Sequence, residues 1–563
     1  MKDATSVTGN SLEVARWVLL SRLTGFLRVG AIAAVLGPTF FGNLFQTANL
    51  VPNLTFELLT GSLVASLVVP PLVRHIDRRD PAAVGRVAGG FLGLAMVASL
   101  VAGAGIVLGG PLLMRLLTAG VADRAVAADQ QRVGWLLLVL VVPQILLYSL
   151  ATVGVAVQHA HSRFALAAAA PAVENLVVVA AVVVAGASYG RAPDVADVAT
   201  GQVLVLGLGS TVAVGLHAAL QWFGAHRAGV ALVPRAGWRD PEVRIIARLA
   251  VPSMGYTGLN AARLFGVLVV AGAVPGGVVA FQLAINFFNL PVALGAKPVA
   301  TALLPRLARA HHEHDRTGFT VEFMRGVGMA LFVTAPVAVA YVVLARPLAR
   351  AVTFGEMATD VGIALVAASI ASVALGMIGD GSFVVGTTAS YAKADAKAPL
   401  RAMVLRTLLA AVGMAIAVVA TDGIAVLVGL GLAIAVADIL GATYLVLHVR
   451  SQLGSEGPSA RAALQRAVLS SAVMVVPTAG LGALLGYDDR LGAVLAVVTA
   501  GSVGLAAYLC AQHLLGSPEL GALRDVVKPR RETERDGGGS TAPRMVVSLD
   551  DIDDPPAPAY DDG

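Results

Sequence analysis

The sequence predicts an all-α membrane protein that crosses the bilayer with about fourteen helices, and its composition and apolar runs favour this fold class. Hydrophobic residues make up 57% of the 563 positions and charged residues only 13%, against about 25% charged residues in soluble domains. Fourteen apolar runs are each about 20 residues long or more, enough to cross the hydrocarbon core as a helix. The runs cover residues 14–36, 43–73, 84–114, 133–158, 164–188, 198–222, 245–272, 277–304, 318–345, 359–388, 400–420, 423–447, 463–485 and 490–515.

Lysine and arginine are concentrated in alternate connections between these runs. The connections after the even-numbered runs are basic, whereas those at 37–42, 273–276 and 421–422 contain neither residue. The connection after the third run is the exception, with Arg115, Arg124 and Arg132. Because cytoplasmic loops are the basic ones, we expect a multi-pass protein of the cytoplasmic membrane with both termini in the cytoplasm.

An internal repeat relates the two halves of the chain. Gln46 and Asn53 of the second run recur 236 residues later as Gln282 and Asn289, and the Arg22-Leu23-x-Gly25 motif recurs at Arg263. The copies lie six runs apart, so they share one orientation in the membrane. Parallel repeats of this kind imply two six-helix lobes about a pseudo-two-fold axis along the membrane normal, with the binding site between them.

The repeat and the composition together divide the chain into six parts. The segment after residue 515 is rich in Gly, Pro and Asp, a composition that cannot bury a core and favours disorder. The parts are a cytoplasmic N-terminus (1–13), an N-lobe (14–222), a cytoplasmic linker (223–244), a C-lobe (245–447), two further helices (448–515) and a disordered cytoplasmic tail (516–563).

Ionisable side chains inside the apolar runs are the candidate site residues, since charges at membrane depth normally face protein or a water-filled cavity. Because they are repeat equivalents, Arg22 and Arg263 are expected on opposite walls of one cavity, where guanidinium groups suit an anionic headgroup. Paired counter-ions that fix helix register are the alternative, favoured for Glu174, Asp380 and Asp438. The candidate binding residues are Arg22, Arg28, Asn53, Glu57, Arg263 and Lys297, with Glu57 and Lys297 able to pair across the lobes.

Four short motifs occur along these runs. They are Ser21-Arg22-x-x-Gly25-Phe26-x-Arg28, Ala170-Pro171-x-x-Glu174-Asn175, Leu303-Leu304-Pro305-x-Leu307 and Ser390-Tyr391-Ala392-x-x-Asp395-x-Lys397-x-Pro399. Together they resemble the MviN/MurJ family, the lipid II flippases of the multidrug/oligosaccharidyl-lipid/polysaccharide exporter superfamily, over about residues 12–515. The resemblance carries the family's two span-one arginines over to Arg22 and Arg28.

Several family charges are absent from this chain. The resemblance places the family's span-two aspartate on Asn43 and its span-two arginine on Phe56. It places the span-eight arginine and glutamate near Ala284 and Phe287. The resemblance therefore implies a divergent member that handles the same substrate with relocated charges, handles a related substrate, or has lost transport.

The resemblance implies a flippase that moves a polyprenyl-pyrophosphate-linked saccharide, the peptidoglycan precursor lipid II, by alternating access. The alternatives are a flippase for another lipid-linked polysaccharide, a drug exporter, a membrane glycosyltransferase, and a transport-inactive scaffold that binds cell-wall synthesis proteins through its tail. With one cysteine and no Gly-Lys-Ser/Thr nucleotide loop, we expect no cofactor, no metal, no nucleic acid and no catalysis. Transport would use a coupling ion or the membrane potential.

Overall fold

The computed structural model describes residues 2–59, 68–453 and 460–527, and these ranges contain helices and turns without a β-strand. Twenty α-helices lie in these ranges. In the N-terminal half they are α1 (Lys2–Leu36), α2 (Phe40–Leu59), α3 (Val69–Asp77), α4 (Pro81–Leu117), α5 (Arg124–Val141), α6 (Gln144–Ala160), α7 (Ala165–Tyr189) and α8 (Thr200–Arg227). In the C-terminal half they are α9 (Pro241–Gly272), α10 (Gly277–Pro291), α11 (Lys297–His312), α12 (Arg316–Val343), α13 (Ala345–Val352), α14 (Asp360–Ala374), α15 (Gly376–Ala392), α16 (Lys397–Ala420), α17 (Ile424–Ser451), α18 (Ala460–Leu485), α19 (Arg490–Leu514) and α20 (Pro518–Val527).

The helices account for thirteen of the fourteen predicted membrane spans. Twelve helical segments among the described residues are long and apolar enough to cross a membrane, two of them formed by α5 with α6 and by α10 with α11. The pair α14–α15, bent by 42°, makes a thirteenth candidate span. The remaining predicted span is the second, which includes residues 60–67 and so lies partly outside the described residues. The all-α polytopic fold predicted from the apolar runs is confirmed.

The packing of the helices repeats between the two halves. In the N-lobe α1 packs on α7, α7 on α8, and α6 on α8; in the C-lobe α9 packs on α16, α16 on α17, and α15 on α17. The contacts between lobes are reciprocal, because α1 meets α10 while α9 meets α2. This exchange is what a pseudo-two-fold relation between the lobes requires, so the repeat read from the sequence is also a repeat in three dimensions.

The two lobes are sealed against each other at one end, which we call the closed end (residues 37–43 and 274–278). Gly37 and Gly276 have φ of +64° and +72°, values that few residues other than glycine adopt. A Cβ atom at Gly276 would lie 2.4 Å from the Cα of Pro38. The side chain of Asn43 joins the lobes by donating to the Val274 carbonyl at 2.7 Å and accepting from the Val278 N–H at 2.9 Å.

The linker between the lobes is shorter than predicted and lies directly on α4. Because α8 continues to Arg227 and α9 begins at Pro241, the linker is 228–240 rather than 223–244. Its Arg235 N–H donates to the Gly89 carbonyl at 2.9 Å, and a Cβ at Gly93 would lie 1.9 Å from the Arg235 carbonyl oxygen. Glycines on α4 therefore allow one backbone to cross another in close contact.

The prediction of a disordered segment from residue 516 is wrong for residues 518–527, which form α20. Ser517 and Pro518 precede and begin this helix, a start signal that the acidic and glycine-rich composition further along obscured. Glu519 is buried and accepts from Arg466 of α18 at 2.9 Å, while Leu520 packs in an apolar cluster with Tyr508. Residues 528–563 lie outside the described residues.

Candidate functional site: a polar cavity between the lobes

A cavity of about 420 Å³ lies between α2 of the N-lobe and α9, α10, α11 and α17 of the C-lobe. Apolar side chains line part of it, including Leu54 and Phe281. Amides and charged groups line the rest, an arrangement typical of a site for a ligand with a polar headgroup. The polar lining consists of Asn53, Glu57, Asn260, Arg263, Gln282, Asn289, Lys297 and Asp438. Four of the six predicted site residues therefore meet in one cavity.

Lys297 reaches the cavity through a local change of helix type. Residues Val292–Ala296 form a π-turn between α10 and α11, and the Lys297 N–H donates to the carbonyl of Val292, five residues earlier. Such a turn rotates the residues after it relative to a regular helix, and π-bulges are frequent at functional sites. Lys297 is exposed and forms no ion pair with any described residue.

Glu57 is likewise exposed on the cavity wall. The structure shows no ion pair between Glu57 and Lys297 among the described residues, so the predicted pairing across the lobes does not occur in this conformation. Both side chains remain exposed, and an exposed ion pair gains little over hydration of the separate charges.

Arg263 is held on the cavity wall by a buried network of four charges. Its Nη1 donates to Oδ1 of Asp438 at 2.6 Å. Arg406 donates to the same oxygen from Nε at 2.9 Å and from Nη2 at 2.7 Å. The Nη2 of Arg406 also donates to Asp380 at 2.8 Å. Two guanidiniums and two carboxylates therefore neutralise one another inside the C-lobe.

Small residues let the four charges come together. A Cβ at Gly379 would lie 2.4 Å from the carbonyl carbon of Asp438, and one at Gly441 would lie 2.2 Å from Cγ of Arg406. The break in helix between α14 and α15 falls just before this contact, at Leu375. Arg406 also lies over the ring of Phe383, with its Cζ 4.4 Å from the ring centroid, and this fixes the guanidinium against the network.

The N-lobe holds a second buried polar cluster, centred on Glu174. One of its oxygens accepts from Arg28 at 3.4 Å and from the hydroxyl of Tyr148 at 3.1 Å, and the other bonds His217 Nδ1 at 2.6 Å. The cluster uses α1, α6, α7 and α8, and the C-lobe network uses their counterparts α9, α15, α16 and α17. The pairing predicted for Glu174, Asp380 and Asp438 is confirmed.

The structure places Arg22 and Arg28 away from the lining of this cavity. Arg28 faces Glu174 within its own lobe, and Arg22 is exposed. The expectation that Arg22 and Arg263 face each other across the cavity is therefore wrong for this conformation. Phe26, one turn after Arg22 on the same face of α1, stacks edge-on against Phe287 at 5.3 Å. Arg22 therefore lies on the face that meets the C-lobe, one turn nearer the N-terminus than that contact.

Aromatic side chains occupy two of the positions where the resemblance placed family charges. Phe56 stacks on Tyr148 with ring centroids 5.5 Å apart. Phe287 lies between Phe26 and Tyr341, whose centroid is 5.8 Å away. The Phe56 ring packs within the N-lobe and the Phe287 ring packs both within the C-lobe and against Phe26 of the N-lobe, so neither position presents a charge to the cavity.

Three site residues escaped the sequence analysis: Arg406, His217 and Tyr148. Arg406 lies inside the apolar run 400–420, so its charge at membrane depth was a signal that the sequence did contain. His217 and Tyr148 had no comparable signal, because a histidine or tyrosine in an apolar run is usually only a core residue. No group of three or more His, Cys, Asp or Glu side chains suited to a metal ion occurs among the described residues.

A larger and more open depression of about 560 Å³ lies at the linker. Its charged lining includes Arg86 and Asp240, which pair with each other at 3.2 Å. Glu242, also in the lining, accepts from Arg74 at 3.2 Å and contacts His75 at 2.9 Å. These ion pairs hold the first turn of α9 against α3 and α4. We therefore interpret them as structural contacts and not as part of a binding site.

Comparisons with known proteins agree with this architecture. The family profile described as lipid II flippase MurJ matches residues 32–488. A probable lipid II flippase MurJ of Rhizobium tropici is 26% identical over 550 residues, which cover 93% of this chain and 97% of that relative.

Two solved structures share the fold. A lipid II flippase MurJ in an inward closed conformation superposes with a TM-score of 0.71 at 16% identity, covering 92% of this chain and 99% of that one. An inward-facing multidrug resistance MATE transporter of the MOP superfamily gives a TM-score of 0.60 at 17% identity, covering 77% and 94%. The solved structures establish the fold, and the profile, which spans most of the sequence, establishes that this chain belongs to the MurJ lipid II flippase family.

Proposed function

We propose that this chain moves lipid II, a polyprenyl-pyrophosphate-linked saccharide, across the cytoplasmic membrane by alternating access of its two lobes. Membership of the family supports the substrate class. The observation that carries the proposal is the inter-lobe cavity, which is sealed at the closed end and bears two cations, Arg263 and Lys297. A membrane protein keeps such charges at depth when they serve a substrate or ion pathway.

Lys297 is the residue proposed to receive the pyrophosphate first. It is exposed on the cavity wall and has no counter-ion among the described residues. An ammonium group is a point charge that suits phosphate oxygens without demanding one fixed geometry. The amides of Asn53, Asn260 and Gln282 lie on the same walls and can both donate to and accept from saccharide hydroxyl groups.

Alternating access then requires the closed end to open. The hydrogen bonds that must break include the two of Asn43 and the bond from the Gly276 N–H to the Thr39 carbonyl at 3.1 Å. Substrate binding that favours the alternative arrangement of the lobes can shift the equilibrium between the two arrangements. We propose that Arg22 meets the headgroup at the entrance and that Arg28 fixes the rotation of α1 through Glu174.

The test is transport of a fluorescent lipid-linked pyrophosphate saccharide by the full chain in vesicles. Lys297→Ala should weaken binding about tenfold, equal to ~1.4 kcal/mol, and Lys297→Arg should restore most of it. Arg309→Ala is the matched control, because Arg309 is an exposed cation on the same helix outside the cavity. Arg22→Ala, measured alongside, should slow transport more than Arg309→Ala.

Two results would overturn the proposal. Transport at the rate of protein-free vesicles, by a folded wild-type chain, would refute flipping. Binding without transport, together with failure to restore growth to cells depleted of their lipid II flippase, would favour the transport-inactive scaffold instead.

The orientation and energy source are also part of the proposal. Both termini lie in the cytoplasm, which the basic even-numbered connections support; in a Cys510→Ser background, thiol reagents should label cysteines at positions 80 and 233 only from that side. Transport uses an ion gradient or the membrane potential and no bound cofactor. Residues 528–563 serve as the proposed docking segment for cell-wall synthesis proteins.

A further inference from the structure

The bond between Arg263 and Asp438 joins two groups that both line the proposed substrate cavity. Asp438 has a side chain only 1% exposed, and that of Arg263 is 14% exposed. A cation committed to a carboxylate is not free to bind an anionic headgroup. Arg263 can therefore bind the substrate only if Asp438 keeps another hydrogen-bond donor after Arg263 has moved away.

One carboxylate oxygen of Asp438 accepts three hydrogen bonds, one more than it has lone pairs. Its Oδ1 accepts from Arg263 and twice from Arg406, although a carboxylate oxygen has two lone pairs. Its Oδ2 is buried without a hydrogen-bond partner among the described residues. If Arg263 leaves, Asp438 keeps both bonds to Arg406 and is not stranded as a buried unpaired charge.

Arg263 is the movable member of the network. Its Nε is also buried and has no partner in the part of the chain that the structure describes, so it holds donors that the present arrangement does not use. Arg406 is fixed by comparison, because it is 3% exposed, bonds Asp380 as well, and lies over Phe383.

We propose that Asp438 is a displaceable counter-ion that holds Arg263 until an anionic phosphate headgroup enters the cavity. The headgroup takes Arg263 from Asp438, while Arg406 and Asp380 keep Asp438 in place. When the headgroup leaves, Asp438 recaptures Arg263. This inference deepens the proposed function and rests on it.

The exchange gives the cavity a way to bind the headgroup without trapping it. Two unpaired cations would hold a pyrophosphate tightly in every conformation, and transport needs binding that is strong enough to capture but weak enough to release. Competition from Asp438 lowers the affinity by a constant amount. Asp438 is therefore a positioning residue, since it acts on the substrate through Arg263.

The test is native-state binding and vesicle transport of a lipid-linked pyrophosphate by the full chain and its variants. Asp438→Asn should bind the lipid about tenfold more tightly or better, because no carboxylate then competes with the headgroup for Arg263, yet turn over more slowly. Asp360→Asn is the matched control, because it removes the same charge from an exposed carboxylate of the C-lobe that lies outside this network; its affinity should equal that of wild type. The gain should vanish in the double variant Asp438→Asn/Arg263→Gln.

A folded Asp438→Asn variant whose affinity is unchanged or lower would overturn the proposal. A second comparison decides the matter if that variant does not fold. Arg263→Gln should unfold at nearly the wild-type temperature, because Asp438 retains Arg406, whereas Arg406→Gln should unfold at a much lower one. Equal losses would make Arg263 a structural counter-ion. If neither wild type nor Asp438→Asn binds the lipid, the proposed substrate fails, but the unfolding comparison still tests the movable role of Arg263.

Discussion

Replacing Arg406 with methionine should destabilise the C-lobe more than the loss of any other single cation in the cavity region. The substitution keeps an unbranched apolar stem and removes the guanidinium. It leaves Asp438 with one bond from Arg263, and it leaves Asp380 without a hydrogen-bond partner among the described residues.

The magnitude follows from the burial of the partners. The side chains of Arg406 and Asp438 are 3% and 1% exposed, so neither charge is screened by water. Breaking a buried ion pair by removing one partner is destabilising by about 3–5 kcal/mol. The stacking on Phe383 is lost as well, which places the expected change near the upper end of that range.

Reversible denaturation in mixed detergent micelles can measure this free energy of unfolding. Arg401→Met is the matched control, since Arg401 is an exposed cation on the same helix, α16, and should change stability by less than about 0.5 kcal/mol. A loss below about 1 kcal/mol for Arg406→Met, or one equal to that of the control, would refute the assignment of a buried network.

Two further predictions concern the closed end and the C-terminal helix. Asn43→Leu removes both inter-lobe hydrogen bonds of that side chain. A cysteine at Gln282 in the Cys510→Ser background should then react faster with a membrane-impermeant thiol reagent applied at the closed end, and an unchanged rate would contradict the role of Asn43 in holding the lobes together there. Truncation after Leu515 removes Glu519 and should lower stability by about 1–3 kcal/mol, since it leaves the half-buried Arg466 without its carboxylate partner. Truncation after Val527 should not lower stability, and equal stability of the two truncations would argue against the contact.

The sequence by itself determined the fold class, the two-lobed repeat and the membrane spans that the described residues contain. These properties depend on consecutive residues, because an apolar run of sufficient length must form a helix in lipid to satisfy its backbone. The repeat of Gln46 and Asn53 at Gln282 and Asn289 was visible for the same reason. The second run was also correctly predicted to line a polar cavity, with Asn53 and Glu57 on its wall.

Only the tertiary structure decided which charges meet. Arg263 and Asp438 are 175 residues apart, and Arg28 and Glu174 are 146 apart, so each pair depends on the rotation and tilt of separate helices. Repeat symmetry alone placed Arg22 opposite Arg263, but Asp438, the carboxylate that holds Arg263, lies on α17, whose N-lobe counterpart α8 contains no acidic residue. A hydropathy pattern records which segments are buried in lipid or protein; it does not record which face of one helix meets which face of another, and that orientation is what makes the site.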